Sequence, residues 1–284
     1  MPALELEKGV VYYEQIFQED KSFQRLQISS GTQTAAQFLH EGNYCANGFV
    51  PQHPWNNPNS EQLMPLTGNP LGLEIGMWLS VVQVPDEILK PFSELKQASS
   101  ETHDLKVLQE LARAPHIRPG IDAFMEYAKM YSMSTEQPIE GGGISLHPAG
   151  LETLAYDYKN NCFVGLHLDS WYKHALLNRP QSPNRICVNL GSELRYLLFI
   201  NLPIPRILEL VQDAAPENTE GRRIHVEFMN LYPNYPVVKL AIRPGEAYIA
   251  PTENIIHDGS SAGKEHLDVS LTFRGQFGFA GTIP

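Results

Sequence analysis

The stretch "LDVSLTFRGQF", residues 267–277, alternates with a period of two. In an extended chain successive side chains point to opposite faces, so Leu267, Val269, Leu271 and Phe273 share one face and Asp268, Ser270, Thr272 and Arg274 the other. The apolar face is a packing face. If the other face lines a barrel interior, its arginine needs an anionic partner, because an unpaired buried charge is very costly. A guanidinium fork matches a carboxylate, so a dicarboxylate ligand is the natural partner.

Strands of the same kind fill the chain from about residue 141 onward. "ETLAYDY" (152–158), "CFVGLHLDSW" (162–171), "NRICVNLG" (184–191), "LRYLLFINLP" (194–203), "RRIHVEFMNL" (222–231), "VVKLAIRP" (237–244) and "EAYIAPT" (246–252) are rich in β-branched and aromatic residues and punctuated by Gly, Pro and Asn. "RILELVQDAA" (206–215) reads as a helix that interrupts them. So many short strands in succession predict a sandwich, jelly roll or small barrel.

The first half of the chain is more mixed. "GVVYYEQIF" (9–17) and "GMWLSVVQVP" (76–85) read as strands, and the Asn-, Pro- and Gly-rich stretch between residues 43 and 70 as a long loop. That loop carries His53 and Trp55 and is a candidate lid. "HDLKVLQELARA" (103–114) and "PGIDAFMEYAKMYSM" (119–133) have helical spacing and predict a helical layer over a sheet. With no repeat and no linker, the expected organisation is a single domain, 1–284. In it an N-terminal mixed and helical extension of about 1–140 precedes a core of about 141–284.

Composition excludes some functions. A net charge of −11 over 284 residues argues against a nucleic-acid surface, which depends on lysine and arginine displacing counterions. It leaves room for a small anionic ligand held by one or two cations. No apolar run approaches the roughly 20 residues of a membrane helix. The opening residues lack a basic segment followed by an apolar one, which predicts no signal peptide. Three cysteines, Cys45, Cys162 and Cys187, without CxxC spacing, predict reduced thiols and a cytoplasmic location.

"HLD" occurs twice, at 167–169 within "LHLD" and at 266–268. In the first, His167 and Asp169 project to one side of an extended chain and Leu166 and Leu168 to the other. An imidazole and a carboxylate so placed form part of a metal site that needs a second histidine. His257, after the apolar "ENII" and before a glycine-bearing turn, is favoured over His266, which lies between charged residues and the last strand. As single histidines, His147, His174 and His225 read as structural or surface residues.

The order His167, Asp169, His257, Arg274 resembles the iron(II)- and 2-oxoglutarate-dependent oxygenases over the C-terminal half, about 145–280. Gln276 stands where many members carry serine. The resemblance implies a mainly β fold, a double-stranded β-helix (jelly-roll, cupin-like) core with flanking α-helices. It implies Fe(II) held by His167, Asp169 and His257, with 2-oxoglutarate bound through Arg274 and O2 as oxidant, releasing succinate and CO2. The retained carboxylate of Asp169 favours hydroxylation or a related oxidation of a small molecule, such as an amino acid or natural-product intermediate, over halogenation. Tyr156 and Thr272 are further candidates for the co-substrate, and Trp171, Tyr158 and Arg195 for the substrate pocket. Two other readings use the same residues. One is a cupin-type metal enzyme without 2-oxoglutarate; the other is a non-enzymatic jelly-roll binding protein.

Overall fold

The computed structural model describes residues 4–15, 23–38, 43–134, 137–215 and 223–279. Ten strands form two sheets. The first runs in the order β1 (Val11–Glu14), β5 (Trp78–Gln83), β12 (Glu246–Ala250), β9 (Asn184–Asn189), β14 (Asp268–Gly275) and β6 (Glu140–His147). Only β1 and β5 pair in parallel; the other neighbours are antiparallel. The second sheet runs β13 (His257–Ser260), β10 (Arg195–Phe199), β11 (Val238–Ile242) and β2 (Leu26–Ile28), antiparallel throughout. Two short pairs complete the strands: β3 (Thr32–Thr34) with β4 (Phe49–Pro51), and β7 (Tyr156–Asp157) with β8 (Cys162–Phe163).

Period-two alternation explains why the sheets stack. Tyr12, Leu79, Val81, Cys187 and Tyr248 of the first sheet meet Leu26, Leu197, Phe199, Val238 and Leu240 of the second in one buried cluster. Their strand neighbours are apolar too. Ile186, Val188, Ile249, Val269, Leu271 and Phe273 turn the other way and pack under helices. Those helices are α3 (Asp86–Leu89), α4 (Ser93–Glu101), α5 (Leu105–Ala112) and α6 (Arg118–Lys129), which supply Leu95, Leu108 and Phe124 to that cluster. On the outer side of the second sheet, Leu198, Ile200 and Ile256 pack against α7 (Ile204–Ala214) and α8 (Ile224–Leu231). The central strands are thus buried on both faces, and burial of this apolar area is the main favourable term, at about 25 cal/mol per Å² removed from water.

Three expectations change. The segment "RRIHVEFMNL" is not a strand: residues 224–231 form α8, because Ile224, Phe228 and Met229 recur at helical spacing and bury one face. The boundary near residue 140 does not separate an extension from the sheets. β1, β5 and β2 come from the first 140 residues and fill positions in both sheets. The 43–70 stretch contains β4 and the capped helix α2 (Ser60–Leu66), where Asn59 and Gln62 form a reciprocal capping box. Shortly before β4, α1 (Ala35–Phe38) follows β3.

The cysteines also depart from expectation. Cys45 and Cys162 lie 5.2 Å apart between Cα atoms and form a disulfide across 117 residues, and Cys187 is free and buried. Their count and spacing could not show this, since β-pairing brings them together: the Cys45 and Phe163 N–H groups bond to Phe163 and Asn43 carbonyls across the same junction. Disulfides persist in oxidising compartments, so the cysteines no longer favour the cytoplasm. Among the described residues no helix is long and apolar enough to cross a membrane. Replacing both cysteines by serine is expected to lower the unfolding free energy by about 2–4 kcal/mol, read from denaturant titrations. A reducing agent should shift wild type to the same midpoint and leave the double variant unchanged.

Candidate metal centre

His167 and His257 face each other as directly opposed residues. The His167 N–H donates to the His257 carbonyl at 3.0 Å, and the His257 N–H donates back at 2.8 Å. In an antiparallel pair such partners put their side chains on the same face, and the rings lie 4.7 Å apart between centroids. Asp169, two residues on from His167, returns to that face. One ligand atom from each of the three residues falls within 4.8 Å of the other two. Leu166 and Leu168 point away, into the cluster under α7 and α8.

The local chain explains this geometry. Residues 164–169 do not continue β8 as a regular strand. Gly165 adopts φ +82°, and a Cβ there would lie 2.5 Å from the Phe49 carbonyl oxygen. Only glycine combines that conformation with that approach. Phe49 of β4 then accepts the Leu166 N–H, so the predicted lid segment supports the metal strand from outside. None of residues 43–70 lines the cavity described below. His53 pairs with Glu152, and Trp55 carries the Lys239 ammonium on its ring.

Each histidine presents Nε2 to Asp169. His167 Nε2 is 3.6 Å from Asp169 Oδ1, and His257 Nε2 is 3.6 Å from Oδ2. Their Nδ1 atoms face the carbonyls of Gly165 at 3.1 Å and Ile255 at 3.3 Å. A carbonyl only accepts, so Nδ1 carries a proton in both rings, and Nε2 is the nitrogen turned toward Asp169 and available to a cation: directly in neutral His257, and in His167 once the cation displaces its Nε2 proton. Burial pulls His257 down to about 4, more than the Asp169 charge restores, so its ring is neutral at pH 7. Burial also opposes charge on His167, but hydrogen bonds and charges from Asp169 and Asp258 outweigh it and hold the ring up to about 10. Burial would raise Asp169, yet the Arg185 charge and the two histidines hold it well below the ordinary carboxylate range. Two neutralisable imidazoles, one committed carboxylate and the negative potential of Asp258 suit a divalent first-row cation with open coordination positions. The donor set fits.

Charged residues beside the donors hold them in place. Arg179 is buried in the 3₁₀ turn Leu176–Gln181 and donates to the Asp169 carbonyl at 2.8 Å and to Glu253 Oε2 at 2.9 Å. The other oxygen of Glu253 accepts the Trp171 and Tyr172 N–H groups. This buried pair ties the turn after Asp169 to the segment leading into His257. Asp258 Oδ1 accepts N–H groups of Leu154, Ala155 and Gly259, which leaves Oδ2 turned toward His167 Nδ1 at 3.4 Å.

A cavity of about 220 Å³ opens beside the three donors. Its wall includes Arg195, Cys187, Tyr248, Ser270 and Thr272 as well as Arg185. The arginine that reaches the cavity from the second sheet is therefore Arg195, buried at 4% exposure. Its Nη1 donates to Cys187 Sγ at 2.9 Å and its Nη2 lies 3.6 Å from Asp268, which also takes Lys264 Nζ at 2.8 Å. Arg195, read from sequence as a substrate-pocket residue, lines the cavity, beside Asp268 and Cys187.

Arg274 does not line the cavity. It lies over the Trp171 ring, 4.3 Å from the centroid, and faces Glu140 at 3.5 Å. The alternation that put Arg274 on the polar face of β14 holds, but the face runs past the cavity: Ser270 and Thr272 line it, and Arg274 emerges at the rim. Trp171 is 58% exposed at that rim. Tyr156 and Tyr158 belong to the β7–β8 hairpin outside the cavity, where Tyr156 bonds Asn161 and Tyr158 is 87% exposed. His266 stands away from the cluster, its N–H on Glu193 and its ring against His103.

Sequence reasoning missed Arg185, Asp258, Cys187 and Tyr248. A signal existed for two of them: in "NRICVN", Arg185 and Cys187 alternate with Ile186 and Val188, the same pattern that singled out Arg274. His257→Ala is expected to weaken cobalt(II) binding by more than the roughly 10–100-fold that outer partners of a site are worth, and His266→Ala to leave it unchanged, both read by calorimetric titration. Arg179→Met strands Glu253 as a buried unpaired charge and should cost about 3–5 kcal/mol of stability by denaturant titration.

No family model matches the chain. No curated protein matches it. Among solved structures, the chain is similar to the Kdo hydroxylase KdoO, a non-heme Fe(II) alpha-ketoglutarate-dependent dioxygenase. In the cobalt(II) complex of KdoO the identity is 16%, with 72% of this chain and 82% of that chain covered and a TM-score of 0.39. In its complex with alpha-ketoglutarate and Fe(III) the values are 16%, 72%, 81% and 0.39. The alpha-ketoglutarate-dependent epimerase SnoN from nogalamycin biosynthesis aligns at 13% identity over 71% of this chain and 82% of its own, with a TM-score of 0.28.

Proposed function

We propose that the chain is an iron(II)- and 2-oxoglutarate-dependent oxygenase acting on a small molecule. The observation that carries this reading is the presence of His167, Asp169 and His257 on the same cavity wall as the buried guanidinium of Arg195. Two stacked, mainly antiparallel sheets with the donors between them support a double-stranded β-helix.

Charge matching favours a dianionic co-substrate. Arg185 pairs with Asp169, Arg195 and Lys264 pair with Asp268, and Asp258 faces His167; with a divalent ion added, five positive charges stand against three carboxylates. With His257 neutral and the His167 proton displaced by the ion, this leaves a surplus of two positive charges in a mostly buried site. A surplus of that kind is costly unless an anion offsets it. Iron(II) with 2-oxoglutarate and O2 supplies a two-electron oxidation of a C–H bond, the co-substrate leaving as succinate and CO2.

The chain's own residues divide the remaining work. His167, Asp169 and His257 would hold the ion. Arg195 is the residue we assign to the distal carboxylate, with the hydroxyls of Ser270 and Thr272 beside it. Its charge is fixed: although burial opposes ionisation, Asp268 holds its proton firmly. Trp171 and Arg274 form the rim at which substrate enters. The assignment replaces Arg274, whose guanidinium is taken up by Trp171 and Glu140.

Anaerobic addition of Fe(II) and then 2-oxoglutarate should produce a visible charge-transfer band, as expected when a keto acid chelates iron at such a site. Arg195→Gln should weaken the 2-oxoglutarate titration of that band by at least about 10-fold, the loss of one charged hydrogen bond, and Arg274→Gln by less than twofold. A folded, iron-loaded protein without the band would refute the reading.

A further inference from the structure

Arg185 enters the charge balance above without a role of its own, yet it bonds directly to a donor carboxylate. It lies on β9 and its side chain enters the cavity. Nη2 donates to Asp169 Oδ2 at 2.6 Å, and that same oxygen faces His257 Nε2 at 3.6 Å. Its Nε is buried without a hydrogen-bond partner among the described residues. The guanidinium is thus pinned to the only carboxylate of the donor set and keeps donor capacity unused.

A divalent ion at the three donors would share Asp169 with Arg185. One carboxylate charge then serves three positive charges across a few ångströms in a partly desolvated site, where repulsion is weakly screened. An anion touching both cations removes the conflict. Arg195 cannot play this part, because it contacts Asp268 and Cys187 and none of the three donors.

We infer that Arg185 strengthens the mutual dependence of metal uptake and anionic co-substrate binding beyond what direct chelation gives: it opposes the ion alone and favours it once a dicarboxylate is present. The inference rests on the oxygenase reading. Coupling of this kind is reciprocal, so whatever factor the dicarboxylate adds to metal affinity, the metal adds to dicarboxylate affinity. Arg185 is a positioning residue in this role.

The test is anaerobic calorimetric titration of cobalt(II) into wild type, Arg185→Gln and Arg185→Lys, with and without saturating 2-oxoglutarate. In wild type, 2-oxoglutarate should tighten cobalt binding by about 10-fold or more, within the usual range of such couplings. In Arg185→Gln cobalt alone should bind severalfold more tightly, and the gain from 2-oxoglutarate should fall severalfold, to what keto-acid chelation alone supplies. Arg185→Lys keeps the charge and should keep most of the gain. If Arg185→Gln does not fold, judged by circular dichroism, Arg185→Met carries the same test. A gain as large in the folded neutral variant as in wild type overturns the inference, as does a wild type that binds cobalt with no gain. A wild type that takes up no cobalt at all refutes the oxygenase reading itself, and the inference falls with it.

Discussion

Two backbone hydrogen bonds between His167 and His257 carry more of this structure than their number suggests. They join a segment that is not a regular strand to the first residue of β13, and they do so at the two positions whose side chains form the donor set. A slip of one residue in that pairing would turn one imidazole to the opposite face and into the apolar cluster beneath α7 and α8. The surroundings oppose such a slip. Gly165 lets the chain pass beneath Phe49, and Arg179 with Glu253 ties the following turn to the residues before His257.

The second constraint is electrostatic. Carboxylates and guanidiniums inside the two-sheet core occur in contact with one another, as burial requires. Asp268 is fully buried between Lys264 and Arg195, and Asp169 lies between Arg185 and the histidines. These groups come from β9, β10, β13 and β14, from the segment between β8 and β9, and from the loop that precedes β14. The charged interior therefore depends on the register of both sheets at once, and the cavity forms only when those strands are correctly paired.

Much of this was legible from residue order alone. Strict alternation in 267–277 identified the packed and polar faces of β14, and the same rule placed His167 and Asp169 together. His257 was separable from His266 by its apolar approach. Periodicity failed where two periods compete over few residues: Ile224, Phe228 and Met229 are compatible with a short strand until α8 is seen to bury one stripe. It also failed on distance along a face. Alternation tells which side Arg274 takes but not how far the cavity extends, so Arg274 and Arg195 could be ranked only once the rim was visible. The cysteine pair and the N-terminal strands are contacts of high sequence separation, and nothing local encodes them.

The Cys45–Cys162 bond has a topological consequence. It closes a covalent ring that contains β5 and all of α3 to α6, the helices that cover the outer face of the first sheet. A protease that cuts once anywhere within that ring leaves both fragments attached to each other. The helical cover therefore stays tethered to the segment that leads into the donor residues even when its own connection is broken.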